Sequence, residues 1–281
     1  MRRRCIFCKL DSAGSRSVEH IIPESLGNIE HTLPAGTVCD RCNNYFASSI
    51  EQPILESGHL QTARFNMHIP NKRRRMPLLQ GTLLPDVRTK GISEFHCAEV
   101  SRNKDGDYEM YLGPKAANAI RSGQITRVVI PATGDMPDRQ KFSRFLSKVA
   151  VECMAQRLLE NAPEMVSDFI DDSQIDLIRN YARFGKSGLL WPFSERRIYS
   201  PDHTFKAGKQ EPYEVLHEWT FLYTAKLEMY FVLAILGIEY VINMGGPDIE
   251  GYGQWLQENG QRSPLYPGSD GHSGHTPDPQ R

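Results

Sequence analysis

The chain has 281 residues, 40% of them hydrophobic and 24% charged, and its 33 basic and 34 acidic side chains leave a net charge of −1. This is a soluble globular composition, long enough for two or three modules with a sizeable core, and it excludes a molecule that grips nucleic acid by overall charge; any such contact has to come from local basic patches. No apolar run approaches the roughly 20 residues of a membrane-crossing helix, and the N-terminal MRRRCIFC lacks the apolar core of a signal peptide, which points to a reducing cytoplasm.

Residues 1–4 form a basic arm in which Arg2, Arg3 and Arg4 are candidate phosphate contacts, a solvated terminus being the alternative. Cys5 and Cys8 make one Cys-x-x-Cys pair, and Cys39 and Cys42 a second. Four thiolates at that spacing suit one tetrahedral zinc, and such a closed site is structural. Glu19 and His20 fall on a strand ended by Pro23, and PESLGN makes a loop closed at Gly27. Residues 44–57 read as a helix with Phe46, Ile50 and Ile54 along one stripe, which Pro53 kinks or ends. Glu51 shares a face with Asn44 and reads as a surface or outer residue.

Strands are expected over 76–85 and 91–100. Before them Lys72, Arg73, Arg74 and Arg75 form the densest positive charge in the chain, a candidate phosphate track that carries affinity without sequence information. Residues 95–131 read as a small β-rich unit with a DG hairpin turn and a short helix ended by Gly123. Residues 138–161 give the clearest helix, capped by Asp138, and a further helix over 173–184 stops at Gly185. Residues 189–244 read as a second sheet, including two buried strands broken at Gly237, before a short final helix in EGYGQWLQEN. Residues 267–281 lack apolar anchors and read as a disordered tail. Cys97 and Cys153 read as small buried hydrophobes, and His217, Glu218 and Trp219 as structural residues at a strand start.

The run VEHIIPESLGN followed by CDRCNN resembles the HNH, or ββα-metal, nuclease family, in its form with an EH-x-x-P-x-x-L-G core and a CNN helix start. The resemblance implies that His20 is the general base, Glu19 an oxygen ligand of a catalytic divalent metal and Asn43 a second ligand. Asn44 is the alternative ligand; Asn43 is preferred because it directly follows Cys42. Two departures stand out. Glu19 occupies a place where many members have Asp, and the central Asn that usually precedes the third Cys is replaced by HTLPAGTVC, leaving Asn28 as the nearest candidate to hold the loop and orient His20.

The chemistry suits these residue types. Phosphodiester cleavage needs an activated water and neutralised phosphate charge; a neutral imidazole takes the proton, and carboxylate and amide oxygens favour Mg²⁺ or Mn²⁺. Consecutive strand residues point to opposite faces, however, so Glu19 and His20 reach one metal only if the hairpin twists or bulges. The resulting expectation is an α+β chain: a zinc-stapled ββα-metal module over 1–60, a basic linker over 61–85, an α+β accessory domain over 86–266 and the tail. Its function is metal-dependent endonuclease action on DNA, with defence against foreign DNA one biological setting. A non-catalytic zinc module binding nucleic acid or protein is the rival. RNA or branched DNA as substrate, a homodimer and an activating partner protein stay open, and no membrane is involved.

Overall fold

The computed structural model describes residues 3–85, 96–103, 105–185, 190–200, 203 and 216–266. Arg2 and the expected tail lie outside them. The chain divides into two compact units, one of Met1–Pro23, Asn28–Gln52 and Asp138–Arg281, the other of Glu24–Gly27 and Pro53–Pro137. The N-terminal segment thus shares a unit with the long helix and second sheet. No helix among the described residues is long and apolar enough to cross a membrane.

In the first unit, strand β1 (Glu19–His20) pairs antiparallel with β2 (Thr32–Leu33), Glu19 opposite Leu33 and His20 opposite Thr32. Helix α1 (Asp40–Phe46) begins directly after the extended Cys39, earlier than residue 44. It runs through a wide turn at Ala47–Glu51, where the Gln52 N–H bonds to the Ala47 carbonyl, into α2 (Gln52–Leu55). Pro53 has no N–H for a regular helical bond, and the wide turn before it lets the run continue instead of breaking.

The segment expected as a linker is structured: it holds most of α3 (Gly58–Asn66) and all of β3 (Leu79–Pro85). The second unit continues with β4 (His96–Arg102), β5 (Tyr108–Leu112), α4 (Pro114–Arg121) and β6 (Ile125–Val129), and its antiparallel sheet has the order β5-β4-β3-β6. Phe65, Leu79, Leu83, Val100 and Ala116 build its core. Cys97 is exposed, because strand alternation buries its neighbour Ala98 and Val100 instead; the expectation of a buried thiol holds for Cys153 alone.

Helix α5 (Arg139–Asn161) returns to the first unit, capped as expected by Asp138, whose side chain accepts from the Lys141 N–H at 2.8 Å. Helix α6 (Val166–Asp171) has no counterpart among the expected elements; α7 (Asp176–Phe184) then ends at Gly185 in left-handed conformation, φ 57°. Strands β7 (Phe193–Arg197), β8 (His217–Tyr223), β9 (Met229–Ile235) and β10 (Ile238–Asn243) form an antiparallel sheet ordered β7-β10-β9-β8, followed by α8 (Glu250–Glu258). Tyr230, Val232 and Val241 pack with Tyr252 and Leu256 of α8, while Tyr240 meets Phe142 of α5, ring centroids 4.7 Å apart. Covered on both faces, β9 and β10 are buried almost throughout, so this stretch is apolar without alternating.

Candidate active site and metal centre

The two knuckles bring Cys5, Cys8, Cys39 and Cys42 together, with all four sulfurs within 4.8 Å of one another. Backbone bonds shape the site: Cys5 N–H to the Leu10 carbonyl closes the first knuckle, and Ile6 N–H to the Thr37 carbonyl ties it to the second. Cys8 and Cys39 sulfurs stand 3.6 Å apart, close to the edge of about 3.8 Å for a tetrahedron with 2.3 Å zinc–sulfur arms. A hydrogen bond from Cys42 pulls the Cys5 thiol down to about 5, burial lifts Cys8 to about 11, and the hydrogen bond to Cys5, together with burial, raises Cys42. Four thiolates so close need a dication, and this donor set fits zinc. The Arg183 Nε of α7 adds a hydrogen bond to the Cys42 sulfur at 3.4 Å.

Asp40, the first residue of α1, links that helix to the hairpin. Its carboxylate accepts from the Ser17 hydroxyl at 2.6 Å and from the Ser17 and Arg16 N–H groups, and the Ser17 hydroxyl leads in holding it below the usual carboxylate range. Asn28 does what its position suggests for the loop. Fully buried, its amide nitrogen donates to the Ile22 carbonyl at 2.7 Å and the His31 carbonyl at 2.9 Å; its oxygen accepts from the His31 N–H at 2.8 Å and the Glu30 N–H at 3.2 Å. It has no bond to the His20 ring, whose Nδ1 is enclosed and without a hydrogen-bond partner among the described residues.

Strand alternation separates the two central residues of the hairpin: His20 is half-buried, while Glu19 is buried at 4% exposure. Glu19 does not sit as an available metal ligand. Its Oε1 is 2.7 Å from the Lys148 ammonium of α5, which also lies 2.7 Å from Glu51 Oε1 and 2.9 Å from Glu152 Oε2. An ammonium has three hydrogens for these oxygens, and Glu19 Oε2, Glu51 Oε1 and both Glu152 oxygens are left without a hydrogen bond among the described residues. Burial pushes Glu19 up and Glu152 far up. Burial alone would push Lys148 down, but the surrounding carboxylates outweigh it and raise it.

Glu51 therefore belongs to an interior charge cluster and not to the surface. Lys148 and Glu152 were missed in the sequence, although an i,i+4 charged pair inside the apolar face of α5 was a readable signal. Among the described residues, the only group of three or more His, Cys, Asp or Glu donors arranged for a metal is the cysteine set. The residues thus fit zinc at the knuckles and do not fit a divalent metal at Glu19. Asn43 is half-buried and Asn44 exposed at the start of α1.

The basic candidates separate as well. Arg4 pairs with the exposed Asp171 of α6, its two nitrogens 2.8 and 2.6 Å from the two carboxylate oxygens; the acid's position could not be read from sequence. Arg3 is exposed. Lys72, Arg73, Arg74 and Arg75 are all exposed on a tight turn held by the Asn71 side chain, which accepts from the Arg73 N–H at 2.9 Å and the Arg75 N–H at 3.0 Å.

The family model described as HNH endonuclease matches residues 5–57. The match spans the knuckles, the hairpin and the helical run up to Ser57, and it points to nuclease activity at family level. No curated protein and no solved structure matches the chain.

Proposed function

We infer that this chain is an HNH-type endonuclease that hydrolyses phosphodiester bonds in DNA, with His20 as the general base. One observation carries this reading: the segment matching the HNH endonuclease family contains both His20, half-buried on a short hairpin, and four convergent cysteines. A zinc at the knuckles supplies a rigid staple, which fixes the hairpin against α1. The imidazole takes a proton from water as that water attacks phosphorus; the bond from phosphorus to the 3′ oxygen breaks, and that oxygen takes a proton from solvent to leave as the 3′-hydroxyl. The exposed Lys72, Arg73, Arg74 and Arg75 contact the phosphate backbone and leave sequence unread.

A need for Mg²⁺ or Mn²⁺ belongs to this reading through Asn43, with Asn44 as the alternative oxygen donor; Glu19 is not among the ligands. Defence against foreign DNA fits an enzyme with these properties. Incubating end-labelled duplex with the zinc-loaded protein and each divalent ion tests the reaction. Products with 5′-phosphate and 3′-hydroxyl ends are expected; intact duplex under every ion overturns the reading. The burial of Glu19 on Lys148 favours a second reading, a non-catalytic zinc module that binds nucleic acid, and retention of uncut duplex would select it.

A further inference from the structure

Lys148 lies outside the matched segment and reaches the hairpin. Its side chain is fully enclosed; its ammonium lies within ion-pair distance of the three carboxylates and donates to the backbone carbonyls of His20 and Ile21, each at 3.3 Å. Burying an ammonium among apolar side chains is costly unless it is paired, and a leucine would suit the buried face of α5 at no such cost. What the lysine adds is geometric. The two carbonyls flank Ile21, so holding both fixes the peptide planes that follow His20 and restricts the direction in which the imidazole leaves the strand.

We propose that Lys148 is a positioning residue for His20, and that Glu19 serves this lock instead of ligating a divalent metal. The ammonium is itself the cation of the oxygen cage. Its 2.7 to 3.3 Å contacts have hydrogen-bond and ion-pair lengths, and a divalent ion would need oxygens at about 2.0–2.1 Å for magnesium in the same space while repelling the ammonium. Residues 5–57 are then not a self-sufficient site, because the cation that holds their hairpin comes from α5. The role given to His20 rests on the nuclease reading; the role given to Glu19 stands without it.

Glu19→Gln keeps the shape and removes the charge that Lys148 meets. In the full-length, zinc-replete protein, Mn²⁺ affinity by electron paramagnetic resonance titration should be unchanged, including the case in which neither form binds. A loss beyond the roughly 10–100-fold that changing an outer-shell partner costs is what removing a ligand would produce, and it overturns the proposal. The NMR signal of the His20 ring should shift in Glu19→Gln and again in Lys148→Met, with kcat reduced and KM for duplex DNA unchanged. A His20 signal that stays in place in both variants overturns the positioning role. If Lys148→Met does not fold, Glu19→Gln alone decides both points. If the wild type cuts nothing, the nuclease reading fails while the Mn²⁺ and His20 measurements still decide the lock.

Discussion

Asn28→Ala is the sharpest perturbation of the hairpin. The side chain is fully buried and makes four hydrogen bonds, two given to the Ile22 and His31 carbonyls and two received from the Glu30 and His31 N–H groups. At about 1 kcal/mol net each, discounted because one side chain makes them all, their loss costs about 3 kcal/mol. The effect should be local, and amide hydrogen exchange reads it directly. The Ile21 N–H is bonded to the His31 carbonyl, and its protection should fall by about a hundredfold, the equivalent of about 3 kcal/mol. Asn28→Asp retains the acceptor half and loses the donations, so it should fall between wild type and alanine. Protection unchanged in the alanine variant, with zinc content normal, would refute the idea that Asn28 holds the loop.

Metal analysis should find about one tightly held zinc per chain, lost in Cys39→Ser and Cys42→Ser together with the local fold, since structural zinc binding and folding are coupled. Acid should loosen the first knuckle. The Arg4 hydrogen bond holds Asp171 below the usual carboxylate range; Asp176 is also lowered, burial opposing but Lys9 and Arg179 outweighing it. A depressed carboxylate stabilises above its unfolded value and loses that contribution as pH falls through its folded value. The melting temperature should therefore drop in acid, and less steeply for Arg4→Ala. Replacing Arg73, Arg74 and Arg75 by alanine should weaken DNA binding and reduce the salt slope by up to about 3, at about 0.9 for each phosphate contact; an unchanged slope removes the track from the interface.

Much of the fold was legible because its signals are local. The helix over α5 follows from apolar spacing and the Asp138 cap, Gly185 marks the end of α7, and Gly237 breaks β9 from β10. The four cysteines declared their own site, since two Cys-x-x-Cys pairs leave few geometries. The charge cluster was not legible in the same way. Glu19 and Lys148 meet across a long sequence separation, and no local pattern says that an acidic residue beside the candidate base will turn inward toward a lysine. The pairing of Arg4 was hidden for the same reason: its partner Asp171 lies on α6, a helix the periodicity did not reveal. The segment after the first module read as a linker because its basic run outweighed the strand signal that follows it.

Whether His20 performs phosphodiester hydrolysis is decided by cleavage of supercoiled plasmid with wild type and His20→Ala, each with its zinc content measured. Wild type should nick or linearise the plasmid with Mg²⁺ or Mn²⁺, and the zinc-replete variant should leave it supercoiled. A zinc-replete His20→Ala protein that cuts at the wild-type rate would contradict that role for His20.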